Sequence, residues 1–435
     1  MIEETITHPD WSSLLMLKRY DRNYWVLVME GTMFTGGITF LATNGAVALF
    51  INTMTGSNTL IGLAVSLQAL FLSFGHLLGA PLVNTISKLP KTLCKIVVVQ
   101  RSTPLFMALP LFIGVSGYLS VTIFLILFAF FWFVHGISTV LWGELCARAV
   151  NPGLRGHMMG VLTAVGGVLS LILGLLLAWL LATPALNDHL RFGIIFVLAC
   201  VFLLMTAIFI RLVRDPSPMV KPEKLDIKQF YGKIPSIIRG SKPLQHVMIS
   251  RVLSHVGFAS IVFLVVFGAY TLRLSDAHVS WLVYANIIGG ITGGVLLGEA
   301  SRRYGNKSVI LWSNFGVVIA MMMAILLAHY PGLGYLWLFL LCVLGSLSIS
   351  SWFGYFNYFL DIAHREERSQ YQIIGQSIGI PFSFVGVVMG ALVDAHGYVP
   401  VFVICGVFAL LSILLSFRLL PKNKVAAMVG ERKPL

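Results

Sequence analysis

Charge is what this chain has least of. Only 11% of its 435 residues are Asp, Glu, Lys or Arg, where a soluble globular domain carries about a quarter. With 57% hydrophobic residues gathered into long runs, that deficit excludes an ordinary soluble fold. The runs also lack the polar–apolar alternation of a transmembrane barrel strand, which excludes a barrel. Cysteine is sparse: Cys94, Cys146, Cys200, Cys342 and Cys405 all fall in or at apolar segments, with no CxxC pair. They read as small core residues rather than disulfides or metal ligands, and no metal or cofactor is expected. HExxH, GxGD, catalytic Ser/His/Asp spacing and a P-loop are all missing. This argues against an intramembrane enzyme and against ATP-driven work by this chain alone. A cleavable signal peptide is not expected either, because the first 24 residues are polar and the first apolar run lacks a small-residue cleavage site.

What remains is a series of apolar runs, many near the roughly 20 residues that cross a bilayer as a helix. Lipid tolerates only helices or closed barrels, so the expected fold class is an all-α polytopic membrane protein. Twelve spans are predicted: Trp25–Ile51, Leu60–Val83, Cys94–Val115, Val121–Cys146, Met159–Leu181, Phe192–Ile210, Leu244–Tyr270, Ser280–Ala300, Val309–His329, Leu336–Ile362, Tyr371–Val393 and Val399–Phe417. The one long break is the basic, proline-marked stretch from Arg211 to Lys242. The expected organisation is a tail at 1–24, a six-helix bundle at 25–213, a linker at 214–243, a second six-helix bundle at 244–420 and a tail at 421–435. Of the 30 Lys and Arg, 26 fall on the side of the tails and linker, while Arg191 and Arg273 fall opposite and Arg101 and Arg251 lie inside spans. By the positive-inside rule both tails and the linker are cytoplasmic. The same distribution accounts for the net charge of +13 without nucleic acid.

The two halves echo each other. GHLLG from Gly75 to Gly79 closes span two and GVLLG from Gly294 to Gly298 closes span eight, 219 residues on. Asn151 to Gly156 opens span five, and Glu366 to Ser369 opens span eleven at a shift of 213. After span eight the chain reads Gly298, Arg302, Arg303, Gly305 and Lys307, which resembles the loop signature Gly-x-x-x-Asp-Arg-x-Gly-Arg-Lys of the major facilitator superfamily, with Arg302 where the family has Asp. The first copy keeps Gly79 and places Asn84 near the acidic position, followed by Lys88 and Lys91. Arg155 and Gly156 match a common family pattern after span four. The resemblance implies the twelve-helix, two-bundle fold with alternating access, and a gate at the cytoplasmic loops formed by Gly79, Asn84, Arg155, Gly298, Arg302, Arg303, Gly305 and Lys307. Span five holds Gly160, Gly166, Gly167 and Gly174 but no proline, which departs from the Gly-Pro signature of family antiporters and weighs against proton-driven drug export.

The resemblance also implies that spans one, four, seven and ten line the cavity. Ionisable residues inside spans are costly and usually functional. Span one offers Glu30, Thr39, Thr43 and Asn44. Glu30 is read either as a proton-binding carboxylate or as a structural partner of an arginine, Arg251 or Arg101. Span four offers Trp132, His135 and Trp142, either a binding wall or packing around a core histidine; Glu144 is expected to pair with Arg148. Span seven offers Arg251 and His255 on one face. Arg251 either binds an anionic solute, pairs with Glu30 or snorkels to the interface. Span ten offers Ser351, Trp352 and Tyr355, hydroxyls interleaved with aromatics, which suit an amphipathic solute or simple core packing. Pro104, Pro110 and Pro381 inside spans permit bending.

The expected function is secondary transport of a small organic solute across the cell membrane, coupled to protons, by a monomer. Export of amphipathic compounds and uptake of a nutrient or monocarboxylate both stay open. A non-transporting sensor or assembly factor on the same fold is the remaining class.

Overall fold

The computed structural model describes residues 22–43, 46–214, 227–270, 272, 276–364, 367–378, 380–382 and 385–425. Among them the chain is helical without strands, as it must be where no water is present to satisfy backbone groups. The first half runs through α1 (Arg22–Thr39), α2 (Ala46–Thr55), α3 (Asn58–Leu82), α4 (Leu89–Arg101), α5 (Thr103–Phe112), α6 (Gly117–Ala149), α7 (Pro152–Ala182) and α8 (Asp188–Leu212). Two short helices, α9 (Ile227–Gly232) and α10 (Ile234–Gly240), precede the second half. That half comprises α11 (Lys242–Phe258), α12 (Ile261–Tyr270), α13 (Asp276–Tyr304), α14 (Asn306–His329), α15 (Gly334–Leu347), α16 (Ser351–Asp361), α17 (Arg368–Ser377), α18 (Val385–His396) and α19 (Tyr398–Ser416). Eight stretches of the described residues are long and apolar enough to cross a membrane.

Several expected spans are broken, and the breaks have local causes. Span one, expected as one rod over Trp25–Ile51, stops at Thr39 after the pair Gly36 and Gly37 and resumes at Ala46. Its last turn tightens, with Phe40 N–H donating to Gly37 and Leu41 N–H to Ile38. Pro104 stands in the first turn of α5 and the chain breaks at Ser102, whose hydroxyl donates to the Val99 carbonyl at 3.0 Å. Span seven breaks at Ala259 and Ser260, where the Ser260 hydroxyl donates to the Gly257 carbonyl at 2.7 Å. Pro381 sits in the 3-10 turn Ile380–Phe382 between α17 and α18, because proline supplies no N–H to continue a helix. A further 3-10 turn, Ser348–Ser350, separates α15 from α16.

Within the first half α1 lies on α7 and α8, and α3 on α6; within the second α11 lies on α19, and α13 on α15. The halves meet where α7 packs on α13 and α3 on α17, the fifth expected span on the eighth and the second on the eleventh. One buried apolar cluster, at the linker end, joins Leu93, Leu145 and Met158 to Leu297, Phe353 and Ile373 of the other half. The other clusters among the described residues each stay within one half. The halves are therefore cemented at the linker end.

The echoed glycines do different jobs in the two halves. A Cβ on Gly136 of α6 would lie 2.7 Å from the Gly75 Cα and 2.7 Å from the His76 nitrogen, and one on Gly79 2.8 Å from the Ile137 Cα. GHLLG thus brings α3 against α6 within the first half. A Cβ on Gly298 would lie 2.9 Å from the Gly160 Cα, so GVLLG brings α13 against α7 across the halves. Small residues at such crossings let backbones approach, the main source of helix association in lipid. Gly136→Leu is expected to lower the thermal unfolding midpoint, because its obstacles are backbone atoms; overpacking costs about 1–3 kcal/mol. Gly174→Leu, with nothing within 4 Å of the added Cβ, leaves the midpoint in place. Melting curves of the two purified variants check the pair.

Candidate functional site

Glu30 of α1 is 2% exposed and Arg101, at the last turn of α4, 4%. Arg101 Nη2 donates to Glu30 Oε1 at 3.0 Å, and Trp142 Nε1 of α6 donates to Glu30 Oε2 at 2.8 Å. A buried ion pair is stable only when geometry and added hydrogen bonds repay desolvation, and the indole supplies one such bond. The Arg101 guanidinium also lies over the Phe34 ring, 5.1 Å from its centroid. Phe34 in turn stacks on His135 with centroids 4.8 Å apart. These side chains line a cavity of about 260 Å³, together with Leu162 and, from the second half, Trp352. Arg101 Nε and Nη1 and His135 Nδ1 are buried there without a hydrogen-bond partner.

A second, smaller cavity of about 80 Å³ lies in the second half between α11, α16 and α17, lined by Arg251, Tyr355, Phe359, Gln372 and Gln376. Trp352 and Phe356 line it as well, so Trp352 borders both chambers. The partly buried Arg251 holds its guanidinium over the Tyr355 ring, 4.9 Å from the centroid. The Tyr355 hydroxyl is engaged elsewhere, 2.8 Å from the Ser250 hydroxyl and 3.3 Å from that of Ser412.

The sequence-selected residues separate into groups. Glu30, His135, Trp142 and Trp352 meet in the larger chamber, and Arg251, Trp352 and Tyr355 in the smaller. Of the partners weighed for Glu30, Arg101 is the one it meets. Thr39 donates to Ser170 Oγ at 3.0 Å, joining α1 to α7, and Thr43 lies in the break after α1. Asn44 lies outside the described residues. Trp132 is buried edge-on to His135 with its indole N–H unpartnered. His255 and Ser351 line neither chamber. Glu144 accepts from Arg148 at 2.8 Å, as the i,i+4 spacing predicts. Arg101, Phe34 and Gln372 were not ranked as site residues from sequence. Phe34 follows Glu30 by one helical turn, the one signal that pointed to it.

At the linker face, Arg155 is 2% exposed. It donates to the Ala147 carbonyl at 2.7 Å and the Val150 carbonyl at 3.2 Å, and reaches Asp361 Oδ1 of the other half at 3.5 Å. Asn306 Nδ2 donates to Asp361 Oδ2 at 2.6 Å and Ser301 Oγ to Asn306 Oδ1 at 2.6 Å. Ser301 lies directly against Gly156. The loop after span eight is read from sequence as lacking its acid. Arg302 does stand at the acidic position, and Glu299, one turn earlier, accepts from both Arg302 and Arg303 and lies 3.7 Å from His157 of the first half. Lys307 donates to the Phe417 and Leu419 carbonyls at 2.8 and 2.7 Å, capping α19. Gly305 has φ +85°, a left-handed backbone position that favours glycine. Gly79 and Gly298 are the helix crossings already described. Asn84 falls in the 3-10 turn Val83–Thr85, with its side chain outside the described residues.

The Major Facilitator Superfamily model matches residues 247–432. No sequence among the curated proteins matches the chain. Among solved structures, the chain is similar to a bacterial homologue of the iron transporter ferroportin in an outward-facing state, with TM-score 0.72 and 13% identity over 92% of this chain and 99% of that one. It is similar to the proton:xylose symporter XylE, with TM-score 0.71 and 14% identity over 93% and 98% of the two chains. It is also similar to the E. coli fucose:proton symporter FucP, with TM-score 0.67 and 14% identity over 91% and 98%. At such identity the likeness speaks for the fold. The family's sequence pattern is thus found in the second half of the chain, residues 247–432, on a fold shared along nearly the whole chain with these transporters.

Proposed function

We propose that the protein is a secondary transporter of the cell membrane that moves a small organic solute by alternating access, coupled to protons. Its moving parts are the bundles 25–213 and 244–420, with the linker 214–243 and the tails 1–24 and 421–435 on the cytoplasmic side, as the 26-to-2 distribution of Lys and Arg supports. The observation that carries the reading is the Glu30–Arg101 pair, buried in a solute-sized chamber that Trp352 of the other half helps to line.

Two states of that pair follow from its geometry. Ionised Glu30 engages Arg101 and the Trp142 indole. Protonated Glu30 releases Arg101, which then carries an unbalanced buried charge. A solute oxygen that accepts from Arg101 relieves that cost, so proton and solute favour one another's binding, which is the linkage a symporter needs. The cluster of Arg155, Asp361, Asn306 and Ser301 holds the linker face shut while the site is occupied from the other side.

Glu30→Gln is expected to abolish solute-driven proton movement in dye-loaded proteoliposomes while leaving solute counterflow measurable. A pH change surviving the substitution would move coupling to His135 or His255. Silence in both assays from folded wild-type protein, across pools of sugars, amino acids, monocarboxylates and amphipathic drugs, would favour the sensor reading.

Asp361→Asn is expected to loosen the linker face. With Ser301→Cys as reporter, maleimide labelling is slow in the parent because the site is buried. It accelerates about tenfold in the double variant if the Arg155 contact contributes about 1.4 kcal/mol to closure. Equal labelling rates would remove Asp361 from the gate.

A further inference from the structure

The smaller chamber holds a charge that the described protein does not balance. Arg251 has the Tyr355 ring beneath it, and no described carboxylate pairs with it, unlike Arg101, which has Glu30, and Arg155, which has Asp361. A ring face is a weak substitute for an anion. Across the chamber stands Gln372 of α17, 3% exposed, with neither its Oε1 nor its Nε2 satisfied. A buried amide atom left without a hydrogen-bond partner is costly. An unpaired guanidinium and an idle amide donor therefore share one small space, and the Tyr355 hydroxyl is already committed to Ser250 and Ser412. Arginine presents several donors in a planar fork that matches a carboxylate.

We propose that this chamber seats the carboxylate of an organic monoanion, bound by Arg251 and Gln372, and that the solute's apolar body passes Trp352 into the larger chamber. The volumes divide that way, about 80 Å³ for a head group and about 260 Å³ for a body. The walls argue for an organic anion over an inorganic one: Trp352, Phe356 and Phe359 enclose the head, and Phe34, Leu93, Val97 and Leu162 await the body. One unbalanced guanidinium argues for a single negative charge. The site also reports to the other half, because Gln372 lies directly against Gly143 of α6. A carboxylate held between Arg251 and Gln372 thus sits at the seam that must open. The assignment names the substrate class for the transport reading above and rests on it for the role of the larger chamber.

The test is ligand binding to full-length purified protein, read by tryptophan fluorescence and melting midpoint at neutral pH. The probes are phenylacetate, 3-phenylpropionate and octanoate beside their uncharged amides, with chloride and phosphate as inorganic anions. The expected result is saturable binding of at least one carboxylate, about tenfold or more tighter than its amide. Arg251→Gln should erase that preference, and Arg251→Lys and Gln372→Leu should each weaken it. Gly174→Leu, at a position that lines neither chamber, should leave the preference in place. Ligand-free Arg251→Gln should melt no lower than the parent, since it removes an unpaired charge; a clear drop would mean that Arg251 is held by the protein itself, and would overturn the assignment. So would equal binding of acid and amide, a preference that survives Arg251→Gln or vanishes in Gly174→Leu, a shift reproduced by chloride or phosphate alone, or no carboxylate binding at all. Counterflow in liposomes separates the two readings. Arg251-dependent binding without any flux would sink transport and keep the site, whereas flux of neutral solutes without carboxylate binding would do the reverse.

Discussion

A charge taken out of water has to be neutralised nearby, and three guanidiniums among the described residues meet that requirement in different ways. Arg101 is neutralised by Glu30 and Arg155 by Asp361 with two backbone carbonyls, while Arg251 has an aromatic ring and the smaller chamber before it. The differences matter because breaking one partner of a buried pair costs far more than the pair is worth in isolation. Arg101 is therefore sensitive to a proton on Glu30 and Arg155 to separation of the halves. Arg251 is sensitive to whatever fills the space before it. Each stands at a different place in the fold, yet all three are governed by the same electrostatic rule.

The helices that carry these groups are held by backbone contact more than by side-chain interlock. α3 meets α6 through Gly75, Gly79 and Gly136, and α7 meets α13 through Gly160, Gly294 and Gly298. In lipid, apolar side chains gain little by turning away from the solvent, so close packing and interhelical hydrogen bonds must supply the association. The large apolar residues left outward, such as Ile126, Leu175, Trp179 and Met322, suit a lipid surface. The first crossing binds one bundle together, and the second binds bundle to bundle, which is why identical spacing in the two halves does not mean identical duty.

Most of the architecture was legible in the sequence, because a span announces itself by length and apolarity and a linker by charge. The interruptions were less legible. Pro381 and Pro104 mark their breaks openly, whereas the break at Ser260 depends on a hydroxyl turning back to the Gly257 carbonyl, a choice many serines decline. Azimuth was the larger gap. The sequence places Glu30 and Arg101 at similar depths, but which arginine faces the carboxylate depends on the rotation of α4 against α1, and that rotation is set by packing on α8 and α6. Thr39 shows the same limit: its hydroxyl is spent on Ser170 and it does not line the cavity, whereas Thr35, one turn earlier, does. Glu299 was passed over because it precedes the position where the family pattern looks for an acid, although one helical turn brings it to the same basic residues.

Two helices connect the chambers and the linker face. α6 runs unbroken from Gly117 to Ala149 and carries His135, Trp142 and Gly143 before ending near the carbonyls that hold Arg155. α16 carries Trp352 and Tyr355 at one end and Asp361 at the other, about 14 Å apart at 1.5 Å per residue. The two differ in what precedes them. α6 has no interruption at which to bend, whereas α16 follows the 3-10 turn Ser348–Ser350, and short 3-10 stretches within helices often mark hinges. In the proposed cycle, then, α6 is the rigid reference and α16 the lever. Displacing Trp352 by solute at one end draws on the Asp361 contact at the other, so occupancy of the chambers and closure of the linker face are properties of one short helix.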